Sequence, residues 1–365
     1  MGSPLKNLYS LPFYDRLANT LSRTVPTFDK QKFISGIFTK DFENKELKER
    51  MKHTSAVLHS FLPDYYPDAV NLIEVIINRL REDGFGESLE MMFFPDYIET
   101  YGLDDYENSV KALEFITQFV SCEFAVRPFI LKYGIRMISQ MQVWSLHKSH
   151  KVRRLASEGS RPRLPWAMAI PELKKNPAPI LPILENLKSD PSESVRRSVA
   201  NSINDIAKDH PMIVIEIAAK WKGISKETDA IIKHGSRTLL KQGHADILKH
   251  YGLQSDNLLV TGFIILTPEV SIGRSLEFSF TVKNNQDEKQ VVRLEYAVYY
   301  QKANGLLAKK VFKISERIFS PQEFCTINRK QSFRLITTRT FYPGQHQLSI
   351  IVNGEEKTID NFSLK

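Results

Sequence analysis

Cysteine is nearly absent: the 365 residues hold two, Cys122 and Cys325. They lie far apart and neither belongs to a Cys-x-x-Cys pair, which excludes a disulfide framework and a cysteine–histidine zinc site. Long apolar runs are missing too. No stretch of about 18 apolar residues occurs and mean hydropathy is −0.28, so a membrane-spanning helix is excluded. The first residues carry no apolar run with a small-residue cleavage site, so no secretory signal is read there and the cell interior is the expected compartment. Signatures of several chemistries are also lacking: there is no Walker lysine, no His-Glu-x-x-His and no Gly-x-Ser-x-Gly. Gly84-Phe85-Gly86-Glu87-Ser88-Leu89 has no third glycine and no preceding strand, so it is not a dinucleotide loop. His147 and His150 have no carboxylate or cysteine near them in the chain and read as basic-patch residues. Neither a metal nor a cofactor is expected.

Positive charge is what the sequence has in excess, and it is unevenly spread. The chain carries a net charge of +8. Residues 1–120 hold 13 Lys and Arg against 19 Asp and Glu, whereas residues 121–255 hold 22 against 12. Residues 148–175 alone carry eight cations and two anions. A focused basic segment fits a polyanionic partner, nucleic acid before anionic membrane. A solvated helical face is the alternative that composition leaves open.

The hydrophobic period divides the chain in two. Leu17, Leu21 and Val25, then Val70, Ile73, Ile77 and Leu80, then Leu113, Phe115, Ile116 and Phe119 keep helical spacing as far as about residue 255. From about residue 257 the pattern alternates, in 275–282, 291–300, 306–314 and 346–352, with turns at Tyr342-Pro343-Gly344 and Asn353-Gly354. About seven short strands predict a small β-sandwich of immunoglobulin-like size over 256–365, after an all-helical domain over 1–255. Within the helical part Val152-Arg153-Arg154 recurs as Val195-Arg196-Arg197, and more loosely as Ile232-Lys233-His234. A period near 40 residues, with an Asp-Pro turn before a Val-Arg helix, predicts stacked helix pairs of the HEAT type.

Equivalent helices of a solenoid line up on one surface. Val195, Val199, Ile203 and Ile206 make one stripe of the second copy, and Arg197, Asn201, Asn204 and Lys208 the opposite one. His234, Arg237 and Lys241 are spaced likewise in the third copy. Groove lining is the expectation for these residues. The first copy breaks off instead: six of the 18 prolines lie between Pro162 and Pro182, so its helix is expected to end near Gly159 and pass into a stiff loop bearing Arg161, Arg163 and Trp166.

Two carboxylates stand out. Glu158 sits where the helix dipole disfavours it, among arginines, and is either held by Arg154 or Arg161 or kept for chemistry. Glu123 lies in the apolar string Phe119–Val126 and is either a helix-capping residue behind Ser121 or a carboxylate set where positive charge develops. Trp166 is either a plug between repeats or a residue of the binding face.

The strings Ser121–Phe129, Val152–Trp166 and Asp190–Lys208, with Leu47–Arg50 and Leu62–Pro67, resemble the AlkC branch of bacterial DNA alkylation repair proteins over about residues 5–250. Some members of that branch carry a C-terminal immunoglobulin-like domain. The resemblance implies a HEAT-like DNA glycosylase of the bacterial cytosol that excises cationic N3-alkylated bases, 3-methyladenine and 3-methylcytosine among them, from duplex DNA without a base-flipping pocket. It implies that Glu123 and Glu158 stand at the lesion, that Trp166 packs at the lesion nucleotide, and that Asp205 matches an acidic position of the family. Arg127, Arg154, Arg161, Arg163, Arg197, His234, Arg237 and Lys241 are the expected DNA-binding residues. A monofunctional monomer without an obligate protein partner is expected.

Elementary chemistry agrees with such a site. An N3-alkylated base is already cationic, so it departs neutral and needs no general acid. The sugar becomes an oxocarbenium ion, which calls for negative charge and a positioned water. The rival reading is a HEAT-type scaffold that binds nucleic acid or protein without chemistry. In the sandwich, Lys302, Lys309, Lys310 and Lys313 cluster about the Ala303-Asn304-Gly305 turn, as a second hold on DNA or as charges that protect a sheet edge.

Overall fold

Helices run from Leu11 to His250 and strands from Leu258 to Leu364, so the change of hydrophobic period is a change of architecture. A computed structural model describes residues 4–335 and 339–365. The first helices are α1 (Leu11–Thr24), α2 (Lys30–Ile37), α3 (Leu47–His59), α4 (Tyr66–Glu82), α5 (Phe93–Tyr101), α6 (Tyr106–Ile116), α7 (Val126–Tyr133) and α8 (Ile135–Trp144). They are followed by α9 (His150–Gly159), α10 (Pro171–Lys175), α11 (Leu181–Leu187), α12 (Glu193–Ile206), α13 (Pro211–Trp221), α14 (Lys226–Gly235), α15 (Arg237–Gln242) and α16 (Ala245–His250). No described helix is long and apolar enough to cross a membrane.

The chain forms two compact units, Met1–His210 with Trp221–Gly235, and Pro211–Lys220 with Ser236–Lys365. The short helices α15 and α16 thus group with the strands, although hydrophobic spacing drew the line near residues 251–256. A close backbone approach accounts for this: a Cβ on Gly243 would stand 2.7 Å from the Gly354 carbonyl oxygen.

In the first unit the apolar stripes do what their spacing requires. Val70, Ile73, Ile77 and Leu80 of α4 are all buried, as are Val195, Val199, Ile203 and Ile206 of α12. α12 packs against α9 before it and α14 after it. The repeat is visible in its joints as well. Arg153 Nη1 donates to the carbonyls of His147 and Lys148, and Arg196 Nη1 to those of Asp190 and Pro191, so each arginine braces the start of its own helix. Arg153 also grips both oxygens of Asp190, at 2.5 and 3.0 Å, which ties one repeat to the next. The α9 helix ends at Gly159, where an added Cβ would lie 2.5 Å from Val126 Cγ1. The proline-rich segment then leaves the repeat and returns through α10 and α11.

The second unit contains an immunoglobulin-like sandwich. Its strands are β1 (Leu258–Ile265), β2 (Glu269–Val270), β3 (Ser275–Asn284), β4 (Gln290–Gln301), β5 (Leu307–Phe319), β6 (Phe324–Ser332), β7 (Gly344–Val352) and β8 (Glu355–Leu364). They form a three-stranded sheet, β1-β3-β6, and a five-stranded sheet, β2-β8-β7-β4-β5. All pairs are antiparallel except β2 with β8. Alternation along β3 sends Leu276, Phe278, Phe280 and Val282 into the core, each worth about 2–3 kcal/mol of burial. Asn353 and Gly354 both take positive φ, 49° and 80°, the turn that an Asn-Gly hairpin requires. Both cysteines are free thiols, so no bridge joins the sheets.

Candidate active site

Two distant stretches of sequence meet in the first unit. Glu123 occupies the turn that leads into α7, where Val126 N–H bonds back to the Cys122 carbonyl. It is not a helix cap: the N-cap of α7 is Ala125, without a side-chain bond. Instead the Ser121 hydroxyl donates to Glu123 Oε2 at 2.7 Å, and Arg154 Nη1 donates to the same oxygen at 2.5 Å. The Glu123 side chain is 17% exposed. Glu158 lies in the last turn of α9, 8% exposed, and Arg161 Nη1 meets its Oε1 at 2.6 Å. Arg161 Nε continues to Asp205 Oδ2 at 2.9 Å, and Lys208 holds the other oxygen of Asp205 at 3.0 Å. Burial works against the Arg161 charge, but Glu158 and Asp205 outweigh it and leave its pKa raised. The dipole that disfavours a carboxylate at the end of α9 is thus answered by a buried arginine.

Glu123 and Glu158 both line one groove of about 670 Å³, with Phe124, Arg154, Arg161 and Trp166. Trp166 is no plug: it is 63% exposed on the groove rim. Its φ of 66° is left-handed, a conformation that costs a bulky residue about 1–3 kcal/mol and persists only where the surroundings impose it. Lys48 of α3 donates to the Trp166 carbonyl.

Several expected DNA-contact residues are engaged within the protein. Arg127 is fully buried and serves the loop instead: its Nε donates to the Met168 carbonyl at 2.6 Å, and its Nη1 to those of Gly159 and Arg161 at 2.9 and 2.8 Å. Burial, helped by neighbouring Arg161, lowers its pKa to about 10. Arg161 is buried between two carboxylates, and Arg163 pairs with Asp209, their closer bond supported by a second at 2.7 Å. Arg197 is exposed and pairs at 2.6 Å across one helical turn with exposed Glu193. The polar stripe of α12 is not a continuous wet face, because helices on both sides bury Asn204 and Asp205. His234 is exposed beside Asn201, but it does not share a helix with Arg237 and Lys241. The chain turns at Ser236 after Gly235, whose missing Cβ lets Ile203 approach, and α15 starts at Arg237. Arg237 is half-buried and Lys241 exposed.

Other groove residues are not singled out for the site by sequence. Ser121 and Phe124 flank Glu123 in the chain, but Lys151, paired at 2.8 Å with Glu87, and Leu89 and Met92 reach the groove only through tertiary folding. No group of three His, Cys, Asp or Glu side chains able to hold a metal occurs among the described residues.

Comparison with known proteins matches the chain to a family. Residues 180–210 match the HEAT repeat, and residues 259–365 match the C-terminal Ig-like domain of the uncharacterised protein YhaZ. The YhaZ protein of Bacillus subtilis strain 168 is 42% identical over 361 residues, 99% of each chain. The solved structure of Pseudomonas fluorescens alkylpurine DNA glycosylase AlkC, bound to DNA containing an abasic site analog, is 34% identical, covers 100% of both chains and has a TM-score of 0.93. The chain belongs to the AlkC family. Its AlkC fold extends through the strands as well as the helices, so the sandwich is part of the likeness. In this AlkC-family chain the last turn of α9 and the turn before α7 are the two segments that bring carboxylates to one groove.

Proposed function

We propose that this chain is a monofunctional DNA glycosylase that hydrolyses the N-glycosidic bond of cationic N3-alkylated bases in duplex DNA, 3-methyladenine and 3-methylcytosine among them, without turning the nucleotide out of the helix. One observation carries the reading: Glu123 and Glu158 share a groove with exposed Trp166 in a chain whose fold is that of an alkylpurine DNA glycosylase. The electrons of the glycosidic bond go to the alkylated ring, which leaves neutral. The deoxyribose is left as an oxocarbenium ion that the two carboxylates stabilise. Water adds to the anomeric carbon and its proton passes to a carboxylate or to solvent, leaving an abasic site. Chemistry of this kind draws on no cofactor. A lesion whose bond is already weakened needs no deep pocket of the sort that extruded bases enter.

The direct test is incubation of the full chain with N-methylated duplex DNA and chromatography of the released bases. Release of 3-methyladenine and 3-methylcytosine is expected. Intact lesions after complete binding would leave a HEAT scaffold without chemistry.

DNA holding on the helical unit is assigned to Arg197, whose exposed ion pair is worth at most about 1 kcal/mol and yields readily to a phosphate. Arg197→Ala is expected to weaken binding to damaged and undamaged duplex alike. It should flatten the log–log salt slope by about one, since one fewer counterion is released. An unchanged slope in filter-binding titrations would remove Arg197 from the interface.

In the second unit the four lysines do not form one row. Lys309 is engaged by Glu356 and the Tyr299 ring, and Lys313 by Glu316. Lys310 sits on edge strand β5, where burial and then the nearby charges of Arg339 and Lys241 lower its pKa. That cationic neighbourhood is the better accessory hold on DNA. Lys241→Ala with Lys310→Ala is expected to lower affinity about tenfold at low salt, with the two slopes differing by about two. Equal affinity of the double variant would leave β5 as a protected sheet edge.

A further inference from the structure

We infer that Lys48 is a positioning residue for the groove: from the first turn of α3 it fastens the Trp166 backbone and the Phe124 ring beside Glu123 in one arrangement. The inference rests on the reading of Trp166 and Glu123 as groups that meet the lesion nucleotide. Lys48 Nζ donates to the Trp166 carbonyl across 118 positions of sequence and stands 5.3 Å from the centre of the Phe124 ring. One side chain therefore touches both segments that build the groove.

Three observations give the contact a purpose. First, Lys48 is poorly placed for the helix that carries it. It occupies the first turn of α3, where the dipole disfavours a cation, next to a capping box that Glu46 and Glu49 already complete. Helix stability does not call for a lysine there. Second, Trp166 is strained and exposed, so it needs a fastener. Arg127 secures the loop at Gly159, Arg161 and Met168, on either side of the tip. Within the tip the backbone bonds to hold Trp166 are Ala167 N–H to Leu164 and Ile170 N–H to Pro162, both 3.2 Å. Lys48 supplies the bond at Trp166 itself. Third, the packing around Trp166 is incomplete: it borders a small cavity of about 20 Å³, lined by Met51, Met92, Phe124 and Lys48 among others, and is otherwise largely exposed. Without the lysine, Trp166 is free to relax to an ordinary φ, which turns both its carbonyl and its ring away.

The tryptophans make this measurable. Trp144 and Trp221 are buried, with their ring N–H groups bonded to Glu114 and Glu185, so a soluble quencher reaches Trp166 selectively. Acrylamide quenching and emission maxima are recorded for the full chain, Lys48→Ala and Lys48→Arg, each with and without Trp166→Phe to assign the signal. Lys48→Ala is expected to change the Trp166 quenching constant at least about twofold and to lower single-turnover excision about tenfold, with duplex affinity little altered. Lys48→Arg, which keeps a donor, is expected to restore both. Unaltered Trp166 quenching in Lys48→Ala overturns the inference, as does loss in Lys48→Arg equal to that in Lys48→Ala. A wild-type chain that releases no base, while Lys48→Ala still moves the Trp166 signal, overturns the glycosylase reading and leaves the fastening intact.

Discussion

Glu123→Gln and Glu158→Gln are each expected to slow release of 3-methyladenine from duplex DNA by about 100- to 1,000-fold, with binding to undamaged duplex changed less than about twofold. The amide keeps the size of the side chain and an oxygen for the arginine, so geometry survives while the charge is removed. In Glu123→Gln the Ser121 and Arg154 contacts still have an acceptor. In Glu158→Gln the Arg161 guanidinium keeps Asp205 as its counter-charge, which protects the fold. What is lost, on the proposed mechanism, is negative charge facing a sugar that becomes cationic. The double variant should be little slower than the worse single one if the pair stabilises one oxocarbenium ion as a unit. Single-turnover kinetics on a duplex with one lesion make the measurement. Wild-type rates in both single variants would remove the carboxylates from the chemistry even if bases are released.

Arg127→Met should have the largest effect on stability. The guanidinium is fully buried and donates to three carbonyls that belong to the end of α9 and the loop beyond it. Methionine fills part of the volume but leaves those carbonyls without donors, a loss of about 3–5 kcal/mol. For a unit of this size that corresponds to a fall in Tm of about 10 °C by calorimetry. Activity should vanish well below the new Tm, because Glu158 and Trp166 both hang on the segment that Arg127 secures. The salt slope of DNA binding by the folded variant should stay as it was. A flattened slope with unchanged Tm would instead make Arg127 a phosphate contact.

The contrast between Arg127 and Arg154 shows what a sequence can and cannot disclose. Arg127 follows an apolar string and Arg154 stands in a basic one, yet both are expected DNA contacts. Period and punctuation reveal helices, the end of α9 at Gly159, the Asn-Gly hairpin and the strands whose residues alternate. They do not reveal on which side of a packed helix a cation ends up, because that depends on neighbours 30 to 45 residues away. The stripe on α12 is interrupted for the same reason: Arg197 and Lys208 stay exposed, but a helix flanked on both sides buries Asn204 between them. β8 escaped notice because its residues are largely polar and exposed, and pairing with β7 rather than burial defines it. Trp166 could be placed at a rim only once the loop was folded. Lys48 lies in the string Leu47–Arg50 that carries part of the family resemblance, but nothing local points to its partner 118 positions away.

The brace made by Arg153, Asp190 and Arg196 bears on how such a chain can change length over evolution. Asp190 gives its carboxylate to the arginine of the preceding repeat and its carbonyl to the arginine of its own. Duplicating or deleting a whole repeat keeps the sequence of donors and acceptors in phase, whereas a cut inside residues 147–153 or 190–196 strands one of them. Residues 160–189 lie between these two braces and take part in neither. New chain can be admitted between α10 and α11, clear of the Arg127, Arg161 and Lys48 contacts, while helix-to-helix spacing is preserved. The same tolerance predicts that natural variation in length among relatives concentrates between the braces, beside the groove, where it retunes the rim and leaves the stacking of the helices alone.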